Sequence, residues 1–85
     1  MSYFVYILKC QGGRLYTGYT KDLERRFREH LAGRGGMFTK LNRPVRMVYF
    51  ETHTTQGAAL RREQEIKRLS RAEKDELIRS SGRER

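Results

Sequence analysis

The sequence has one cysteine, Cys10, one proline, Pro44, and only ten acidic residues against nineteen lysines and arginines. A lone cysteine excludes an intrachain disulfide and a thiolate metal cluster, and the side chain reads as a small buried apolar group. No apolar run approaches the roughly 20 residues that a membrane helix needs. Met1-Ser2-Tyr3 enters a strand pattern directly, without the basic segment of a secretory leader. The expectation is a protein of the cytoplasm with no membrane partner. Internal repeats and low-complexity stretches are missing as well. At 85 residues the chain is short beside the usual domain of about 100–200. It reads as one domain over residues 1–80, followed by a basic flexible tail at 81–85.

The shortage of acid leaves a net charge of +9, and fourteen of the nineteen cations are arginine. Such a balance predicts attraction to polyanions, nucleic acid before acidic membrane. Arginine adds a forked set of donors that grips phosphate at two points, where lysine offers one. The cations are spread along the chain, so folding must gather any basic patch.

Hydrophobic patterning predicts a compact α+β fold, a small three-stranded antiparallel sheet flanked by helices. Tyr3 to Cys10 is a continuous apolar and β-branched run, as expected of a strand covered on both faces. Gln11-Gly12-Gly13 is a turn, and Arg14 to Tyr19 a second strand, making an antiparallel hairpin. Thr20 reads as the N-cap of a helix reaching Leu31, with Asp22 and Glu24 in its first turn. A short helical turn follows at Met37 to Leu41, then a third strand at Val45 to Glu51. Thr54 or Thr55 caps a helix from Gln56 to Leu69, and an amphipathic segment from Ser70 to Ile78 closes the fold.

If Cys10 lies opposite Arg14, Leu8 faces Tyr16 and Tyr6 faces Gly18, so Tyr6 and Tyr16 are diagonal neighbours on one face. Gly18 then leaves a shallow place where a backbone or a substrate can approach. On the first helix Leu23, Phe27 and Leu31 form the inward stripe. Arg26 and His30 fall beside or within it, one turn apart, while Arg25 points to solvent. Arg26 either meets an anion there or makes an internal salt bridge; His30 either joins a site or is a hydrogen-bonded core histidine. On the later helix Ala59, Leu60 and Ile66 form the packing stripe, with Glu63 in its middle. A carboxylate in that position must be paired or bind a cation. Lys67, four residues on, is one partner; Mg²⁺ or Mn²⁺, held by one carboxylate, water and phosphate, is the other. No second acid stands at a useful spacing, which argues for a single metal at most.

These residues together resemble the GIY-YIG nuclease superfamily in its small single-domain bacterial form. Val5-Tyr6-Ile7 stands for the first tripeptide, with valine at the glycine position, and Tyr16-Thr17-Gly18 for the second. Arg26 has the spacing of the family's helix arginine, His30 follows it, and Glu63 in ALRREQEIK matches the metal-binding glutamate; the likeness spans roughly residues 3 to 78. It implies a metal-dependent endonuclease that cuts phosphodiester bonds, structure-selective or weakly specific, in DNA repair or recombination, with DNA favoured over RNA. Tyr16 would be the general base, directly or through water, and Tyr6 would position or assist. Arg26 would steady transition-state charge, His30 orient or relay a proton, and Glu63 hold one Mg²⁺ or Mn²⁺. Two positions depart from the family pattern: the only asparagine is Asn42, and Tyr19 stands where some repair nucleases carry lysine. With no appended specificity domain, a homodimer or a recruiting protein would supply substrate choice. The contrasting reading is a catalytically inactive basic nucleic-acid-binding module.

Overall fold

The computed structural model describes residues 1–81. Three strands form one antiparallel sheet: β1 (Tyr3–Cys10), β2 (Leu15–Thr20) and β3 (Pro44–His53), in the order β2-β1-β3. Four helices surround it: α1 (Leu23–Leu31), α2 (Met37–Leu41), α3 (Gln56–Lys67) and α4 (Arg71–Ser81). The α+β architecture is the one expected from the sequence. The expected tail at 81–85 falls almost wholly outside the described residues, and Ser81 ends α4.

Because β1 is the central strand, its apolar run from Tyr3 to Leu8 is used on both faces, with exposed Lys9 interrupting it before Cys10. Val5 and Ile7 pack with Val48, Tyr49, Ala59 and Ile66 on the face covered by α3 and α4. Tyr6, Leu8 and Cys10 pack with Leu23 and Met47 on the other. Consecutive Val48 and Tyr49 reach the same cluster because Ile7 pairs with Tyr49 and Leu8 with Met47, a bulge that gives Val48 no partner. Cys10 is buried, and its amide donates to the Arg14 carbonyl at 2.8 Å, which closes the hairpin in the expected register.

Several local expectations are corrected. Thr20 is not the N-cap of α1: it is still paired with Phe4 in the sheet. Asp22 caps instead, its carboxylate accepting from the Arg25 amide at 3.1 Å, and Thr20 accepts from the Asp22 amide at 3.2 Å. Leu31 is not on the inward stripe. Leu23 and His30 are the buried positions of α1, and Leu31 lies a further 100° round the helix and is exposed. Leu60 is likewise exposed, because Ala59, Glu63 and Ile66 form the buried line of α3. That helix starts from Thr55, whose hydroxyl accepts from the Ala58 amide at 3.1 Å, and ends at Lys67, two residues earlier than expected. Ser70 precedes α4 as its cap: Ser70 and Glu73 exchange hydrogen bonds of 2.8 and 3.1 Å in a capping box. Pro44 opens β3 at the sheet edge, where a missing amide is tolerated, and pairing of Thr52 with Phe4 and of His53 with Tyr3 carries the strand past Glu51, so it runs longer at both ends than expected.

Alternation along β3 puts Tyr49, Glu51 and His53 on one face. Glu51 accepts from the Tyr49 hydroxyl, from His53 Nε2 at 2.5 Å and from Arg62 Nε at 3.1 and 3.0 Å, which ties the sheet edge to α3. Burial works to raise the Glu51 pKa, but these hydrogen bonds outweigh it and hold the carboxyl below its ordinary value. A depressed folded pKa means stability that is complete above the unfolded carboxyl range and is lost as pH falls through the folded value. Glu51→Ala is expected to cost about 1–3 kcal/mol at neutral pH. Urea melts at pH 7 and pH 3.5 check this: the gap between wild type and variant should narrow at the lower pH.

Candidate active site

The hairpin register places Tyr6 opposite Gly18 and Leu8 opposite Tyr16. The two tyrosine rings are 6.4 Å apart and tilted by 43°. The space over Gly18 is not open to a substrate, as the sequence suggested. A Cβ there would stand 2.5 Å from the Tyr6 hydroxyl oxygen and 3.1 Å from the Tyr16 ring, so the chain's own phenols fill it. Gly18 is what lets the hydroxyl end of Tyr6 come this close to β2.

Helix α1 crosses this face and brings His30 against both rings. His30 Nε2 is 2.8 Å from the Tyr6 hydroxyl, and the imidazole meets the Tyr16 ring edge-on at 5.1 Å. His30 Nδ1 is 2.7 Å from the Thr39 hydroxyl of α2, and Phe38 of the same short helix packs on Tyr16 at 5.6 Å. Gly35 lies on the imidazole face: a Cβ there would come within 2.6 Å of Cγ and Cε1 and closer still to Nδ1. Tyr6, His30 and Thr39 are all buried, whereas Tyr16 remains partly exposed.

Burial has clear electrostatic effects here. It pushes the Tyr6 hydroxyl up to about 12; the nearby Arg26 guanidinium opposes the shift, while Tyr16 and Glu63 reinforce it. Burial drives His30 down to about 4, helped by the Arg26 cation and opposed by Glu29. At neutral pH the imidazole is uncharged and Tyr6 keeps its proton. Arg26 sits one turn before His30. It donates to Glu29 Oε1 at 3.0 Å and reaches the Gly35 carbonyl at 3.5 Å. Burial disfavours its charge, but Glu29 and Tyr6 outweigh that and raise its pKa. Lys21, Arg25, Arg26, Glu29, Gln56 and the β2 residues Tyr19 and Thr20 line an open groove beside it.

Glu63 comes from α3, is 8% exposed and acts electrostatically on Tyr6. Its carboxylate is 3.6 Å from Lys67 Nζ, the ion pair the sequence had offered as one alternative. Among the described residues no group of three or more His, Cys, Asp or Glu side chains could hold a metal. Asn42 closes α2 by donating to the Phe38 carbonyl at 3.0 Å. The contacts thus join Tyr6, Tyr16 and His30 directly, with Arg26 acting electrostatically on Tyr6 and His30 and Glu63 on Tyr6. Sequence reasoning missed Thr39 and Gly35. Both touch His30 across a glycine-rich bend, where no helical or strand period links them to it.

A family model, that of the GIY-YIG catalytic domain, matches residues 2–76. The chain belongs to the GIY-YIG family. A GIY-YIG domain indicates a nuclease and implies a nucleic-acid substrate, and GIY-YIG nucleases typically use a divalent metal. A UPF0213 protein of Staphylococcus epidermidis is 51% identical over 76 residues, 89% of this chain and 93% of its own. A UPF0213 protein of Staphylococcus aureus is 51% identical over 77 residues, 91% of this chain and 94% of its own. The solution NMR structure of a UPF0213 protein from Bacillus halodurans aligns with a TM-score of 0.63 at 40% identity, covering 96% of this chain and 87% of that one. A protein from E. faecalis aligns at 0.64 and 34% identity, covering 94% of this chain and 85% of that one. This GIY-YIG chain has, among its described residues, no helix long and apolar enough to cross a membrane.

Proposed function

We propose that this GIY-YIG protein is a metal-dependent endonuclease that cuts phosphodiester bonds in DNA, selecting its substrate by structure in repair or recombination. The observation that carries the reading is the contact cluster of Tyr6, Tyr16 and His30 with the Arg26 cation acting on it, a group in which Tyr16 and Arg26 alone are partly exposed. In this reading water attacks phosphorus, one P–O bond breaks, and the leaving oxygen takes up a proton. Tyr16 acts as the general base, receiving the proton of the attacking water as its own hydroxyl proton passes to a neighbouring water. Tyr6 stays protonated in its buried site and serves as a donor. Arg26 offers a fixed cation to the charge that develops on phosphate, the kind of preorganised stabilisation that lowers barriers most.

Glu63 suits a hard divalent cation such as Mg²⁺ or Mn²⁺, which needs few protein ligands when water and phosphate supply the rest. The lone carboxylate and the absence of a ligand cluster among the described residues match that kind of site, and half-exposed Lys67 can swing away on its flexible stem. Such an ion supplies Lewis-acid polarisation of phosphoryl oxygens.

The Glu63–Lys67 ion pair also favours a second reading, a basic nucleic-acid-binding module without cleavage, since it neutralises the carboxylate with no metal. A cleavage assay on labelled single-stranded, flapped and branched DNA and a structured RNA separates the two. Wild type should cut with Mg²⁺ or Mn²⁺ and stop with chelator, and Glu63→Gln should bind as wild type but not cut. Binding in low salt without cleavage under either metal would favour the module.

A further inference from the structure

The short helix α2 is held to the site on one side and open on the other. Thr39 is 1% exposed and bonded to His30, whereas Met37 and Leu41, which point almost the opposite way at 100° per residue, are 67% and 73% exposed. Phe38 borders them, 38% exposed, its ring tilted by 30° against that of Tyr16 at 5.6 Å. Met37 and Leu41 are one turn apart and Phe38 and Leu41 three residues apart, so the three make one continuous apolar ridge. Its inner end rests on the partly exposed tyrosine of the site.

The surroundings of the ridge point to what covers it. From Leu31 to Phe50 the chain has four cations, Arg34, Lys40, Arg43 and Arg46, and no acid. All four are exposed. A second copy of this chain is a poor occupant: a stable dimer engages roughly 20–30 residues a side, and two copies would set these cations against each other. Unpaired nucleotides suit both properties, since their phosphates meet the cations and their bases stack on an aromatic ring whatever the sequence. Bases inside a duplex are covered by their neighbours. The ridge can reach them only where stacking is broken, and Phe, Met and Leu are among the side chains that wedge into such steps.

We propose that the face of α2 formed by Met37, Phe38 and Leu41 is a base-stacking surface for unpaired nucleotides of DNA, which makes single-stranded and flapped segments the substrate class. Its place beside a reacting phosphate rests on the nuclease reading; the contact with unpaired bases does not. NMR of methyl-labelled methionine with chelator present tests it, because Met37 lies on the ridge while Met1 precedes the far end of β1. A short single strand and a flapped duplex should shift the Met37 methyl, a blunt duplex should not, and Met1 should stay in place. Fluorescence anisotropy of Phe38→Ala and of the double variant Met37→Ser, Leu41→Ser should show binding to the flapped duplex weakened about fivefold to a hundredfold and binding to the blunt duplex within about twofold of wild type. The salt dependence should be unchanged, since no charge is removed. Leu60→Ser, an exposed apolar position on α3, should bind as wild type. The double variant alters only exposed side chains, so it decides the question even if Phe38→Ala disturbs the packing on Tyr16. A Met37 methyl unmoved by the single strand and the flap overturns the proposal, as does an equal loss of affinity for flap and blunt duplex. A Met37 signal that changes with protein concentration before DNA is added shows a second copy on this face and overturns it too. A structured RNA that shifts Met37 where the DNA strands do not overturns the assignment to DNA. Wild type that binds the flap through Met37 but cuts nothing in Mg²⁺ counts against the nuclease reading and supports the stacking surface; cleavage with Met37 unmoved does the reverse.

Discussion

Arg26→Ala is expected to lower the cleavage rate by about a hundredfold to a thousandfold, the usual loss when one preorganised charge-stabilising donor is removed, with little change in fold. The guanidinium sits where three demands meet. It pairs with Glu29, reaches the Gly35 carbonyl, and lies beside the Tyr6 hydroxyl. The first two contacts hold the fork in place before any phosphate arrives, and the third keeps the cation against the tyrosine that would donate to that phosphate. Its side chain is 32% exposed, as is that of Glu29, so solvent screens the ion pair and its loss should not unfold the protein. Arg26→Lys keeps the charge but not the fork, and one ammonium cannot meet Glu29, Gly35 and Tyr6 at once. It should recover no more than a small part of the rate. Single-turnover cleavage under saturating protein, with DNA binding and thermal melting recorded on the same samples, checks this. An alanine variant within about threefold of wild type would show that Arg26 is a structural cation of α1 and not part of the reaction.

How much of this site could be read from residues alone depends on periodicity. The hairpin turn set the register, and register with a period of two placed Tyr6, Tyr16 and Gly18 on one face. The helical period placed Arg26 and His30 one turn apart above them. Where the period was interrupted, the reading slipped. Thr20 has a cap's chemistry, but its pairing with Phe4 keeps it in the sheet, and Asp22 two residues on does the capping. Leu31 and Leu60 were assigned inward by hydrophobicity, although in each helix a polar residue, His30 or Glu63, holds the buried line. Those two displacements carry meaning: a helix that buries His or Glu in place of an available leucine is spending apolar burial on a polar contact. Thr39 and Gly35 escaped because their link to His30 crosses the bend between α1 and α2, and such a link leaves no repeating mark in sequence. The β3 network was half visible, since Tyr49 and Glu51 alternate, but the strand was ended before His53.

Gly35→Ala should be the most damaging small substitution near the site, for steric and not conformational reasons. The added methyl would meet the imidazole of His30 at Nδ1, Cγ and Cε1, all inside contact distance. His30 cannot move aside, because its ring is 1% exposed, bonded at both nitrogens, and packed edge-on against Tyr6 and Tyr16. Either the ring tilts and breaks its bonds to Tyr6 and Thr39, or the Gly35 backbone withdraws and takes with it the carbonyl that Arg26 reaches. Overpacking of a tight site usually costs about 1–3 kcal/mol, and the broken hydrogen bonds place this case at the upper end. For a domain of this size that is a fall in Tm of roughly 10–20 °C. Both routes also disturb the cluster, so cleavage should fall even at temperatures where the variant is folded. Gly33→Ala is the control: nothing lies near the position of its Cβ, but its φ of +79° disfavours a side chain, so it should lose only modest stability and keep its cleavage rate. If Gly35→Ala melts within about 3 °C of wild type and His30 keeps its ring-nitrogen shifts, the close approach of Gly35 to the imidazole is not a constraint on this fold, and α2 is free to hold Thr39 without it.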